Sequence, residues 1–171
     1  YPMEKHIYLL WRKPEQSRDE FNAAIKPALA QALVAQSAAG VQVNIIDEHV
    51  ASASGLRQEN MQPSIDGCVS FWLPSTHVRA ALEDTLKEYT SRIAGYVVLE
   101  SEAIVNTTQP ADAGERTPGF AQIVCIQKPA KMTYDAWLDY WLTTHTKVGI
   151  ETQSNFQYTQ NIKQQKKVFL K

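Results

Sequence analysis

Long hydrophobic runs, clustered charge and paired cysteines are all missing from this chain, and each absence narrows what it can be. No apolar run approaches the roughly 20 residues that a membrane span requires. The opening YPMEKHIYLLW also lacks the basic-then-apolar layout of a secretory leader. A cytoplasmic protein with no membrane partner is the expectation, with Met3 as its natural start. The 17 basic and 18 acidic residues leave a net charge of -1 and are dispersed, apart from KQQKK near the end. Such a balance argues against a nucleic-acid partner. The two cysteines, Cys68 and Cys125, form neither a CxxC nor a Cys/His cluster. Each sits in an apolar, strand-like run, so both are expected to be free, buried thiols.

Cofactor motifs are scarce as well. The chain contains no GxGxxG, no Walker loop and no GxSxG elbow, so no nucleotide or flavin cofactor is expected. Asp47, Glu48 and His49 offer three ligand types in a row. Successive strand residues point to opposite faces, however, and cannot converge on one ion. His6, His77 and the cysteines add no metal spacing, and no metal site is expected.

What is present is an ordinary globular composition: 171 residues, 44% of them hydrophobic and 20% charged. A chain of this length can bury roughly two-thirds of the surface its unfolded form exposes. HIYLLW (6–11) reads as a β-strand. The helix that follows, 17–36, opens with Ser17 three residues before Glu20, which is capping-box spacing, and Pro27 should kink or restart it. GVQVNIID (40–47) reads as a strand, 51–64 as a long loop and GCVSFWLP (67–74) as a strand ended by proline. A helix over 75–93 and a strand over 95–105 complete a βαββαβ order. Right-handed crossovers fold that order into an antiparallel sheet with the helices on one face.

After a Pro/Gly/Thr-rich linker at 106–119 the pattern starts again. Ser17 matches Thr133, Asp19 matches Asp135 and Phe21 matches Trp137, each at an offset of 116, while Asn44 matches Asn161 at 117. Two copies of one module are therefore expected: residues 1–105 as the first and 120–171 as the second. Residues 120–162 should then repeat the strand-helix-strand unit of 6–47. Ten residues follow Asn161, too few for a further strand, helix and strand, so the second copy reads as partial, with KKVFLK as a remnant of a last strand. A partial copy should lean on the first module or on another subunit, because its sheet edge and apolar face would otherwise lie open.

GYVVLES, GERTPGFAQ, IETQSNFQYTQN and above all W-x-x-x-W-x-x-x-H-T at 137–146 carry a resemblance. Taken together, these stretches resemble bacterial two-module members of the EthD family, within the dimeric α/β-barrel superfamily, from Ile7 to Asn161. The resemblance implies an α+β fold of tandem ferredoxin-like modules. Their antiparallel sheets would pack face to face into a barrel, within a chain or across a homodimer. It also implies links to oxidation pathways, and fungal relatives act as cofactor-independent decarboxylases or tailoring enzymes on aromatic polyketides.

Within that frame His145, which matches the family's histidine after the tryptophans, is the candidate general acid or base. The first module has Leu29 at the equivalent place. The competing reading makes His145 a helix cap acting on late carbonyls or on the helix dipole. Trp137, matched by Phe21, reads as core. Trp141, matched by Ile25, reads equally as core or as the wall of an apolar pocket. On the next strand Tyr158 and Gln160 share a face and could hydrogen-bond a ligand oxygen opposite His145, with Gln160 stabilising an enolate-type oxygen. Asn161 reads as structural. The expected function is a cofactor-independent enzyme acting on a small apolar carbonyl or phenolic compound; a non-catalytic binding or accessory protein is the alternative. His145 is expected at the rim of a pocket, with one ring nitrogen held by a hydrogen bond.

Overall fold

The computed structural model describes residues 3–164, and the expected strand remnant KKVFLK lies outside them. The chain divides into two compact units: residues up to 100 together with those from 161 onward, and residues 101–160.

The first unit begins with β1 (Glu4–Trp11), whose apolar run is buried because both of its edges are paired. Helix α1 (Arg18–Ile25) starts where the capping box predicts: Ser17 Oγ accepts from Glu20 N at 3.2 Å and Glu20 Oε2 accepts from Ser17 N at 2.7 Å. Pro27 then breaks the helix. Having no N–H and a bulky ring, it cannot sit within a continuous turn, and α2 (Ala28–Ala35) begins immediately after it. β2 (Ala39–Ile45) follows, and the expected loop contains a 3-10 segment over Glu48–Leu56. β3 (Gly67–Leu73), α3 (Arg79–Tyr89) and β4 (Arg92–Ile104) complete the βαββαβ order.

The molecule is an α+β protein with an open, five-stranded antiparallel sheet in the order β2-β3-β1-β4-β5, the last strand being β5 (Tyr158–Lys163). Tyr8 is the hub of the register, lying opposite Val69 on β3 and Gly95 on β4. Period-two alternation sends Tyr8, Leu10, Phe71 and Leu73 to the face covered by α1, α2 and α3, where Phe21, Leu29 and Leu82 meet them. Each such side chain contributes about 1.5–3 kcal/mol on full burial. The opposite face presents Leu9, Trp11 and Cys68, also buried. Trp11 Nε1 donates to Pro63 O at 2.9 Å, and the Arg92 guanidinium lies 4.3 Å from the Trp11 ring centroid. At the end of β1, Asp66 accepts from Arg12 N at 3.0 Å and from Arg12 Nε at 3.2 Å, which pins the entry to β3.

A ladder of polar contacts joins β1 to the start of α3. The backbone and hydroxyl of Thr76 both donate to the Glu4 carboxylate, His6 Nε2 lies 3.4 Å from Thr76 Oγ1, and Tyr8 Oη donates to Glu83 Oε1 at 2.9 Å. Arg79 pairs with the same Glu83 oxygen at 3.3 Å. Glu4, His6 and Tyr8 occupy alternate positions on one strand and so share a face; Glu4 and His6 both reach Thr76, just before α3, and Tyr8 reaches Glu83 within it.

The second unit departs from expectation at its beginning. Residues 118–129 form no strand, and Phe120, Ile123, Val124 and Ile126 are exposed. The strand expected to open the unit 120–162 is thereby corrected, as is the burial of Cys125, which is exposed while Cys68 is buried. The reason is pairing: an apolar run becomes a strand only when neighbouring strands take up its amides and carbonyls. β1 has β3 and β4 as neighbours, whereas no described strand pairs with 121–127. The expected helix does form, as α4 (Tyr134–Tyr140), a π turn (Trp141–His145) and α5 (Thr146–Thr152) in direct succession. No helix among the described residues is long and apolar enough to cross a membrane.

Candidate functional site

The candidate residues His145, Trp141, Tyr158 and Gln160 all belong to the second unit, on the α4–α5 helix and on β5. The helix begins with Thr133, whose hydroxyl accepts from Ala136 N at 3.3 Å, and Asp135 in the first turn faces the positive end of the helix dipole. An aromatic stripe follows. The Tyr134 and Trp137 rings are 5.9 Å apart and tilted by 49°, and the Trp137 and Trp141 rings stack at 5.3 Å with 24° between their planes. Both tryptophans are half-buried, so Trp137 is less enclosed than its repeat partner Phe21, which is fully buried.

The regular helix stops at Trp141. Over Trp141–His145 the chain follows a π turn, a form that is rare and usually short, and that recurs at functional sites. Three hydrogen bonds from two side chains tie this turn down. Thr146 Oγ1 donates to the Trp141 carbonyl at 2.7 Å. Gln160 Nε2 donates to that same carbonyl at 3.2 Å and to Thr146 Oγ1 at 2.9 Å. Gln160 is 2% exposed and Thr146 is 9% exposed, so the closed triangle of contacts is shielded from water. Beyond it, a Cβ on buried Gly149 would sit 3.6 Å from Tyr158 Cε1, which seats α5 against the start of β5.

The structure therefore brings Trp141 and Gln160 together and places half-buried Tyr158 beside α5. His145 stands apart, exposed on the π turn, and its imidazole makes no hydrogen bond, ion pair or ring contact with another described residue. That corrects the expectation of a hydrogen-bonded ring nitrogen. Nor is His145 a terminal cap, since seven residues of α5 follow it. Both amide hydrogens of Gln160 are directed at the helix, so this side chain braces the π turn in the present geometry instead of reaching toward a ligand oxygen. Thr146 is the participant that sequence reading missed. A threonine in a helical run carries no local sign that its hydroxyl will bond the carbonyl five residues back, although the run Thr143, Thr144 and Thr146 around His145 marks a helix rich in competing hydroxyls.

Among the described residues no group of three or more His, Cys, Asp or Glu side chains is placed to hold a metal ion. No family model matches the chain, and none of the curated proteins searched matches it.

Proposed function

We propose that this chain is a two-module protein of the EthD type, built from ferredoxin-like βαββαβ modules with the second one partial, and that it acts without a cofactor on a small apolar carbonyl or phenolic compound. His145 is the general acid or base, and Trp141 and Tyr158 line the binding surface. The observation that carries this reading is the π turn, which presents an exposed imidazole one turn beyond a stacked tryptophan pair. An imidazole exchanges protons near neutral pH, and an indole surface retains a flat apolar ligand. In this reading the copies associate as a homodimer of α/β-barrel type in the cytoplasm, a state that sedimentation analysis would reveal.

The test uses a panel of small aromatic ketones, β-keto acids and phenols, followed by product analysis with the unaltered protein and with His145→Gln. Loss of conversion by roughly 100-fold or more with binding retained is the scale expected when a general acid or base is removed. Equal conversion by both proteins would rule out His145 as the catalytic group. A second reading, a binding or accessory protein without turnover, draws on the same imidazole having, among the described residues, no hydrogen-bond partner that orients it. In that case Trp141→Ala weakens ligand binding and no member of the panel is converted.

A further inference from the structure

We propose that Thr146 and Gln160 are positioning residues: their shared hydrogen bonds hold the helix in its π-turn form and thereby set where His145 projects. The proposal rests on the reading of His145 given above for its functional consequence, but its structural part can be judged separately.

The argument begins with the Trp141 carbonyl. In an uninterrupted α-helix this oxygen would accept from the amide of residue 145, four positions on. Here it accepts from two side-chain donors, the Thr146 hydroxyl at 2.7 Å and the Gln160 amide at 3.2 Å. Gln160 also donates to Thr146 Oγ1 at 2.9 Å, which orients the hydroxyl so that its own hydrogen points at the carbonyl. All three groups belong to one cooperative network, and the two side chains are almost fully buried.

A π turn accommodates one residue more than the α-helical repeat, and one residue corresponds to about 100° of rotation about the helix axis. Reversion to regular α-helix would therefore rotate α5 relative to α4 by about that angle. The bond from Gln160 to the Trp141 carbonyl and the seating of Gly149 on α5 against Tyr158, both made from β5, cannot both survive such a rotation. His145, the last residue of the π turn, would be re-aimed with them. The Thr146–Gln160 pair acts as a latch between two helix registers, and β5 sets the register through Gln160.

Three variants test the latch. Thr146→Val keeps the branched shape but removes the hydroxyl. Thr146→Ser restores the hydroxyl, and Gln160→Glu keeps the length while replacing the amide donor. The first readout is nuclear magnetic resonance of the full chain, using the amide contact pattern over 141–146 and the ring signals of His145. The second is binding of 2-naphthol, followed through tryptophan fluorescence.

Thr146→Val and Gln160→Glu are expected to replace the π pattern with an α pattern and to shift the His145 ring signals, while Thr146→Ser retains both. Naphthol affinity should fall by roughly tenfold in the first two variants, a modest instance of what misplacement by about 1 Å can cost. A retained π pattern in both Thr146→Val and Gln160→Glu overturns the latch. So does an altered register that leaves the His145 signals and naphthol affinity unchanged. Should Thr146→Val fail to fold, the comparison of Gln160→Glu with Thr146→Ser decides the matter by the same criteria. If these signals behave as expected while His145→Gln converts the panel compounds normally, the latch stands and the catalytic role of His145 falls.

Discussion

Tyr8 and Gly95 face one another across β1 and β4, and the phenol ring lies so close over the glycine that a Cβ there would come within 2.4 Å of Tyr8 Cε1. The missing side chain makes room for the ring, and the ring covers backbone that a glycine would otherwise leave bare. Gly95→Ala must therefore push Tyr8 aside, and with it the hydrogen bond from Tyr8 Oη to Glu83. A loss of about 1–3 kcal/mol is expected, the usual range for overpacking. Tyr8→Phe, which removes only the hydroxyl, should cost about 1–2 kcal/mol. Urea titrations of both variants check the order.

His6 should make the first unit sensitive to mild acid. Burial lowers its pKa from the ordinary 6.5; Glu4 and Glu83 oppose that shift and Arg79 adds to it. The folded state then binds fewer protons than the unfolded chain just below pH 6.5, so stability is present above that value and declines as pH falls toward the lowered pKa. The Glu4 carboxylate, also lowered, chiefly by its hydrogen bonds from Thr76, acts only in a later window, as pH falls below 4.5. Thermal melts of His6→Leu across pH 4.5 to 6.5 should show a flatter profile than the unaltered protein. An unchanged slope would remove His6 as its source.

Asp66 is 6% exposed and holds Arg12 through its backbone and side-chain nitrogens, with Arg18 Nη2 at 3.7 Å. Breaking a fully buried ion pair costs about 3–5 kcal/mol, but the Arg12 and Arg18 side chains remain 36% and 32% exposed and can turn to water. Asp66→Ala is therefore expected to cost about 2 kcal/mol, read from the urea midpoint. A cost under about 0.5 kcal/mol would place this cluster with ordinary surface pairs.

The two thiols should separate by reactivity. Cys125 is exposed and Cys68 is buried in the sheet. Ellman's reagent is expected to modify one thiol per chain in the native protein and the second only after denaturation, and Cys125→Ser should abolish the native reaction. Rapid labelling of both would place Cys68 outside the core.

Local signals in the sequence determined most of the secondary structure. Ser17 and Glu20 set the start of α1, and Pro27 set the break before α2, because capping and the missing proline amide act within a few residues. Apolar, β-prone runs marked β1, β3 and β4, and the element order constrained the sheet. Tertiary structure alone decided the rest. The run at 121–127 resembles β1 in composition, yet a strand needs partners distant in sequence, and only β1 has them. The same holds at the candidate site. The spacing of Trp137, Trp141 and His145 announced a helix with an aromatic stripe, but the π turn within it depends on Gln160, 19 residues beyond Trp141. Gln160 arrives from β5 to add a donor to a carbonyl within the helix, and no pattern within the helix encodes that arrival.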